Sequence, residues 1–166
     1  TDNGSTTEMI LLNGGNVGIG TASPISPLQI ESSINALSDT DEPENYHLLL
    51  RNPANDNDEG VGIAFNISTA TDDVGSSIIY KRTDSSAKGE LQFYVKTNTS
   101  GDGVVTQAMT IDDSANVGIG TTAPTKKLQV AGDISASGDF YVQSTKKIYF
   151  GTGANTYIQE SGNDVL

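Results

Sequence analysis

The sequence predicts an all-β chain that completes its hydrophobic core by joining copies of itself. Three observations carry that prediction. One is a repeat: "NVGIGT" at 16–21 returns unchanged at 116–121. Another is a set of short runs of alternating apolar and polar residues, punctuated by Gly, Asn, Asp and Pro, with little helical periodicity. The last is leanness: of 166 residues, 35% are hydrophobic and 18 are glycine. That apolar share is below the globular norm, and a lone chain would struggle to offset its conformational entropy by burial. Because the apolar residues are patterned rather than diluted, a core shared between subunits is expected rather than disorder.

The repeat is longer than six residues. Met9 aligns with Met109, Leu11 with Ile111, Pro24 with Pro124, Leu28 with Leu128, Gln29 with Gln129 and Ile30 with Val130. It reads as a short strand, a polar turn, the glycine-bearing strand, a Pro turn and a further strand. Two copies fall short of a solenoid and look like one module used on both sides of something else. The first module and its linker occupy 1–43, where "SSINALSD" (32–39) is the best helical candidate.

Residues 44–107 read as a knob. "YHLLL" (46–50) is followed by the polar loop "RNPANDNDEG" and then by "VGIAFNI" (61–67), in which Val61, Ile63, Phe65 and Ile67 alternate. "SSIIYKR" (76–82) and "ELQFYVK" (90–96) are joined by "TDSSAKG", a hairpin loop, and "VVTQAMTI" (104–111) runs into the second module at 108–134. Five strands at this spacing predict an antiparallel β-sandwich. From 135 to 166 a thin, intertwined β shaft is expected: Ile134, Ala136, Gly138, Phe140 and Val142 alternate, and "KKIYFGTGANTYIQES" reads as a hairpin. A first residue other than Met and a close in mid-pattern at "SGNDVL" predict that the natural protein extends further.

A formal charge of −12 repels nucleic-acid phosphates and anionic membranes, and no basic stripe interleaved with aromatics is present. Without cysteine, disulfides and thiolate metal sites are excluded. No apolar run approaches the roughly 18 residues of a membrane helix.

The glycines invite a phosphate-loop reading, which the context opposes. A dinucleotide fingerprint needs a third Gly and a following helix. Here Gly18-Ile19-Gly20 continues as Thr21-Ala22-Ser23, and Pro24 follows; the second copy also lacks the third Gly. A scaffolding reading explains more. Val17 and Ile19 lie on one strand face, Gly18 and Gly20 on the other, and bare glycines let another backbone approach closely. Three chains around a common axis would cover the apolar pair and remove exposed sheet edges. Val17, Ile19, Val117, Ile119, Leu128 and Val130 are the expected trimer contacts, with either the apolar or the glycine face turned to the axis.

"NVGIGTTAPTKKLQVAGDI" (116–134) resembles the repeated G-N-V-G-I-G-T-x-x-P-x-x-K-L-x-V element of tailed-bacteriophage tail fibres and related virion appendages, and "MTIDDSAN" (109–116) resembles its lead-in. Ala115 stands where Gly is usual. The first copy departs further, with Leu12 in place of Asp and Pro27 in place of Lys. The central strands are similar to a β-rich knob often found ahead of this element, and "KIYFGTGANTYIQES" to segments found after it. The resemblance implies a homotrimer, a β-structured shaft, and a host-adhesion or connecting role in a virion, outside the cell. It often implies a self-cleaving chaperone domain as well, to which nothing in these residues corresponds.

No reaction is expected. His47 is the only His, so a zinc site would depend on carboxylates alone, which is poor zinc chemistry, and no nucleophile motif accompanies it. The strongest cation candidate is the loop holding Asp56, Asp58 and Glu59, whose hard oxygens suit calcium; the spacing does not fit an EF-hand, and a solvated, turn-forming loop is the simpler reading. Tyr46, Tyr80 and Tyr94 could stack on a sugar, although strand packing is the simpler role. The expected function is structural and adhesive, spacing or presenting a receptor-binding surface to a host glycan or protein, with other fibre proteins as partners. A carbohydrate-binding module and a non-viral extracellular filament subunit are the alternatives.

Overall fold

The computed structural model describes residues 9–33, 40, 42–54, 56–69, 73–98 and 105–139. The chain divides into two units, Thr1–Ala131 and Gly132–Leu166. The fold is all-β: among the described residues the only helical element is a 3-10 turn at Pro43–Asn45. The strands are β1 (Met9–Leu11), β2 (Val17–Ile19), β3 (Leu28–Ile30), β4 (Gly60–Phe65), β5 (Ser76–Arg82), β6 (Gly89–Lys96), β7 (Val105–Ile111), β8 (Val117–Ile119) and β9 (Leu128–Val130). The first three form one sheet in chain order, and the other six form a second, also in chain order.

Each repeat folds into the same three-stranded clip. A tight turn reverses β1 into β2, closed by Leu12 N–H donating to the Asn16 carbonyl at 2.8 Å and Gly15 N–H to Leu12 at 2.8 Å. Gly15 has φ +87°, the left-handed region that glycine enters without steric cost. In the second copy Asp112 and Asn116 make the same closure at 2.9 Å, with Ala115 in the glycine position at φ 57°. β2 then pairs parallel to β3, across a connection of only residues 20–27. Parallel neighbours usually need a crossover of a dozen residues or more. The short route works because side chains close it: Asn16 Nδ2 donates to the Pro24 carbonyl at 3.1 Å, and Gln29 Oε1 accepts the Ile25 N–H at 3.0 Å. Asn116 with Pro124 (3.5 Å) and Gln129 with Thr125 (2.8 Å) repeat this in the second copy. The repeated Asn, Gly, Pro and Gln are thus the residues that shape the clip.

β4 to β7 form an antiparallel meander that continues into the second clip. The hairpin expected between 82 and 90 is present, with Ser86 and Ala87 both left-handed at φ 56°. Pairing between β6 and β7 shifts register after Phe93: Phe93 faces Met109 while Tyr94 faces Gln107, so Ala108 is the extra residue.

Several expectations need correction. Within one chain the strands of 44–107 make a single layer rather than a sandwich, since β4 to β9 lie side by side in one sheet. The expected divide between knob and second module, at 107/108, falls inside β7. "YHLLL" belongs to no strand, and Leu48, Leu49 and Leu50 are exposed. A run without alternation is apolar on both faces and needs cover on both, which one layer does not supply. The strand expected from Ile134 is not formed over its described part, 134–139, where every residue is exposed. Residues 34–39 of the helical candidate, and the chain from 140 onward with its expected hairpin, lie outside the described residues.

Candidate interface: two apolar rows and a filled glycine side

Directly paired residues share a sheet face, so the register fixes what each face carries. Val61, Tyr80, Leu91, Ile111, Val117 and Leu128 pair in succession across all six strands. The neighbouring row on the same face is Ile63, Ile78, Phe93, Met109, Ile119 and Val130. The first clip carries a three-strand version: Leu11, Val17 and Leu28, beside Met9, Ile19 and Ile30.

None of these side chains is buried; Ile63 is 45% exposed, Ile119 44% and Leu128 60%. Among the described residues, aliphatic and aromatic side chains contribute no buried core, whereas Ser77, Gln92 and Thr110 are buried. This inverts the ordinary one-sided sheet, whose apolar face is packed and whose polar face is wet.

The opposite face is filled by the chain itself at the clips, while Gly62 and Ala64 of β4 are exposed on it. Between the two apolar rows it carries Gly62, Ile79, Gln92, Thr110, Gly118 and Gln129. Gly118 is buried; a Cβ there would sit 2.5 Å from the Thr121 carbonyl oxygen and 3.1 Å from Thr110 Cγ2. Gly18 faces Thr21 and Ile10 in the same way. The close backbone approach that the glycines permit is therefore made by the turn of their own module.

Polar side chains on this face join one another. Gln92 Nε2 donates to Glu90 at 2.6 Å, and the Tyr94 hydroxyl lies 2.8 Å from Gln92 Oε1 and 3.1 Å from Gln107 Oε1. Lys81 binds Asp58 at 2.8 Å. That hydrogen bond raises the lysine pKa above its ordinary value, against the opposing effect of burial. Thr110 Oγ1 and Gln107 Nε2 are buried without a partner among the described residues. In the second clip the Asp112 carboxylate accepts the N–H groups of Asn116 (2.8 Å) and Ser114 (2.9 Å) and Asn116 Nδ2 (3.0 Å). The Asn116 backbone bond is the chief reason its pKa falls below the usual aspartate value. Asp113 is lowered by the Thr83 hydroxyl (2.9 Å) and by Lys88 (3.2 Å), bonds that tie the hairpin loop to this turn.

The six expected contact residues fall on the apolar face, Val17 and Ile19 in the first clip and Val117, Ile119, Leu128 and Val130 in the second. Sequence reasoning missed that Val61, Ile63, Ile78, Leu91 and Phe93 continue the same rows; their alternation was visible, but the register was not. The three tyrosines do not form one site. Tyr80 is on the apolar face and donates to the Ala87 carbonyl at 2.6 Å, Tyr94 is on the other face, and Tyr46 donates to Thr40 at 2.5 Å. Leu49, Leu50, Asn52, Val61, Tyr80 and Arg82 line an open cavity of about 400 Å³.

Asp56, Asp58 and Glu59 do not converge. No group of three His, Cys, Asp or Glu that could hold a metal is found among the described residues, and Asp58 is engaged by Lys81. His47 Nε2 lies 3.1 Å from the Ser32 carbonyl, an exposed contact. No described helix is long and apolar enough to cross a membrane. No protein-family model matches the chain, and no curated protein matches it.

Proposed function

We propose that the chain is a structural and adhesive subunit of a homotrimeric fibre, of the kind that tailed-bacteriophage tail fibres and related virion appendages are built from. It spaces or presents a host-binding surface outside the cell and performs no reaction. The observation that carries this reading is the pair of apolar rows left open across a sheet with no aliphatic or aromatic core of its own among the described residues. A single layer of this kind is completed by stacking against other layers, and sister chains supply them at fixed stoichiometry. The missing second layer of the expected sandwich then comes from neighbouring chains.

Sedimentation equilibrium tests the proposal. The expected mass is three times the 17.3 kDa of one chain. A monomer with a cooperative melting transition at micromolar concentration refutes it. Ile119→Asp, in the centre of the second clip, is expected to shift the mass to that of one chain, since a carboxylate desolvated among apolar groups costs several kcal/mol; an unchanged trimer would count against the proposal.

The cavity beside Tyr80, with Asn52 and Arg82 on its wall, favours one second reading, a carbohydrate-binding subunit. A glycan array probed with the assembled chain separates the two: selective binding lost in Tyr80→Ala supports it, and silence leaves the spacer role.

A further inference from the structure

We infer that the two apolar rows, rather than the glycine side, are where sister copies meet, and that the knob has its core between chains. This rests on the trimer proposed above and goes beyond it, because it selects the face and gives knob and second module one continuous interface.

Charge supports the choice. An acidic chain of net charge −12 can approach its own copies closely only where it holds few carboxylates. The six strands place no carboxylate on the row face, where Arg82 is their one charge, whereas the other face carries Glu90 and holds Asp58 and Asp73 against Lys81 and Lys96. Space points the same way. The turn of each module already lies against the module's own glycine, with the Thr121 carbonyl against Gly118, so a sister backbone has no room on that side of the clips.

The dimensions fit copies of this sheet. Six strands about 4.8 Å apart span about 29 Å, and with β4 to β7 about 7 residues long the face covers roughly 500 Å² in plan. That is at the upper end of what monomers leave exposed and of the same order as the roughly 800 Å² each partner gives to a stable interface.

Ile63 and Ala64 are sequence neighbours on opposite faces of β4, and the chain has no native cysteine. Ile63→Cys and Ala64→Cys are therefore compared for maleimide labelling in the full-length assembly, with the mass measured in parallel. The expected result is a trimer in which the thiol at position 63 reacts at least about tenfold slower than that at 64, as buried sites open only by fluctuation. A trimer in which 63 reacts as fast as 64, or in which 64 is the protected site, overturns the inference and leaves the trimer standing. A monomer overturns the trimer itself, and the inference with it. Should Ile63→Cys fail to assemble, Ile78→Cys on the next strand reads the same face against Ala64→Cys.

Discussion

Gly118→Ala tests how tightly the module is closed. The backbone at Gly118 is not left-handed, so alanine carries no conformational strain there. By itself the change would favour folding by about 0.4–1 kcal/mol through the unfolded chain. Against that, the new methyl group would sit 2.5 Å from the Thr121 carbonyl oxygen, with Thr110 Cγ2 and Thr121 Cγ2 each at 3.1 Å. A backbone carbonyl cannot swing aside as a side chain can, and overpacking of this kind costs about 1–3 kcal/mol. The net expectation is a loss of about 1–2 kcal/mol, or about 2–8 °C in Tm for a chain of this size. Circular dichroism melting at one fixed protein concentration measures it, since association makes Tm concentration-dependent. Gly14→Ala is the control: nothing lies within 4 Å of its added Cβ, so only the unfolded-chain gain of about 0.4–1 kcal/mol remains and its Tm should rise by about 1–4 °C. If Gly118→Ala melts with wild type or above it, the filled glycine side is wrong.

Other expectations concern the second clip. Thr110 is fully buried with its hydroxyl unpartnered, so the isosteric Thr110→Val should raise stability by about 1 kcal/mol, read as a higher denaturant midpoint; a lower midpoint would show that the hydroxyl is bonded. Ala115→Gly removes a left-handed alanine at φ 57° and should gain up to about 1 kcal/mol, measured the same way. Asp112 has a folded pKa below its unfolded one, so its contribution is present above the ordinary aspartate range and is lost as pH falls through the folded value. Asp112→Leu, which copies the residue at position 12, should be less stable at neutral pH and should lose less on acidification. Parallel acid-unfolding curves for the two proteins would refute the role of this carboxylate.

Much of the fold was legible because alternation of period two is a local signal. Ile63, Phe65, Ile78, Tyr80, Leu91 and Phe93 announce strands whatever lies opposite them, and Ser85 to Lys88 announce the hairpin. The register was not legible, and register decides which apolar residues stand side by side. Only after Ile63 is set against Ile78 and Phe93 against Met109 do scattered apolar residues become rows. The sandwich was misread for the same reason: alternation reports that one face is covered, without saying whether the cover comes from the same molecule. The glycines were half legible. Their closeness to a backbone followed from the sequence, but that the backbone is Thr21 or Thr121 follows only from the turn that Pro24 and Pro124 end. Asp112 was invisible as a turn-former, because its partners lie within four residues and leave no periodic trace.

The two clips present nearly the same apolar face twice in one polypeptide, at Val17, Ile19, Leu28 and Ile30 and again at Val117, Ile119, Leu128 and Val130. Strands that display identical signals are open to a staggered match, the first clip of one molecule settling on the second clip of another. Width discriminates between them. The first clip is three strands across and the second is embedded in six, so a staggered match strands the surplus half of the broader sheet in water. In the trimer proposed above, the meander between the copies would act as an alignment key, penalising every offset except the one in which like meets like.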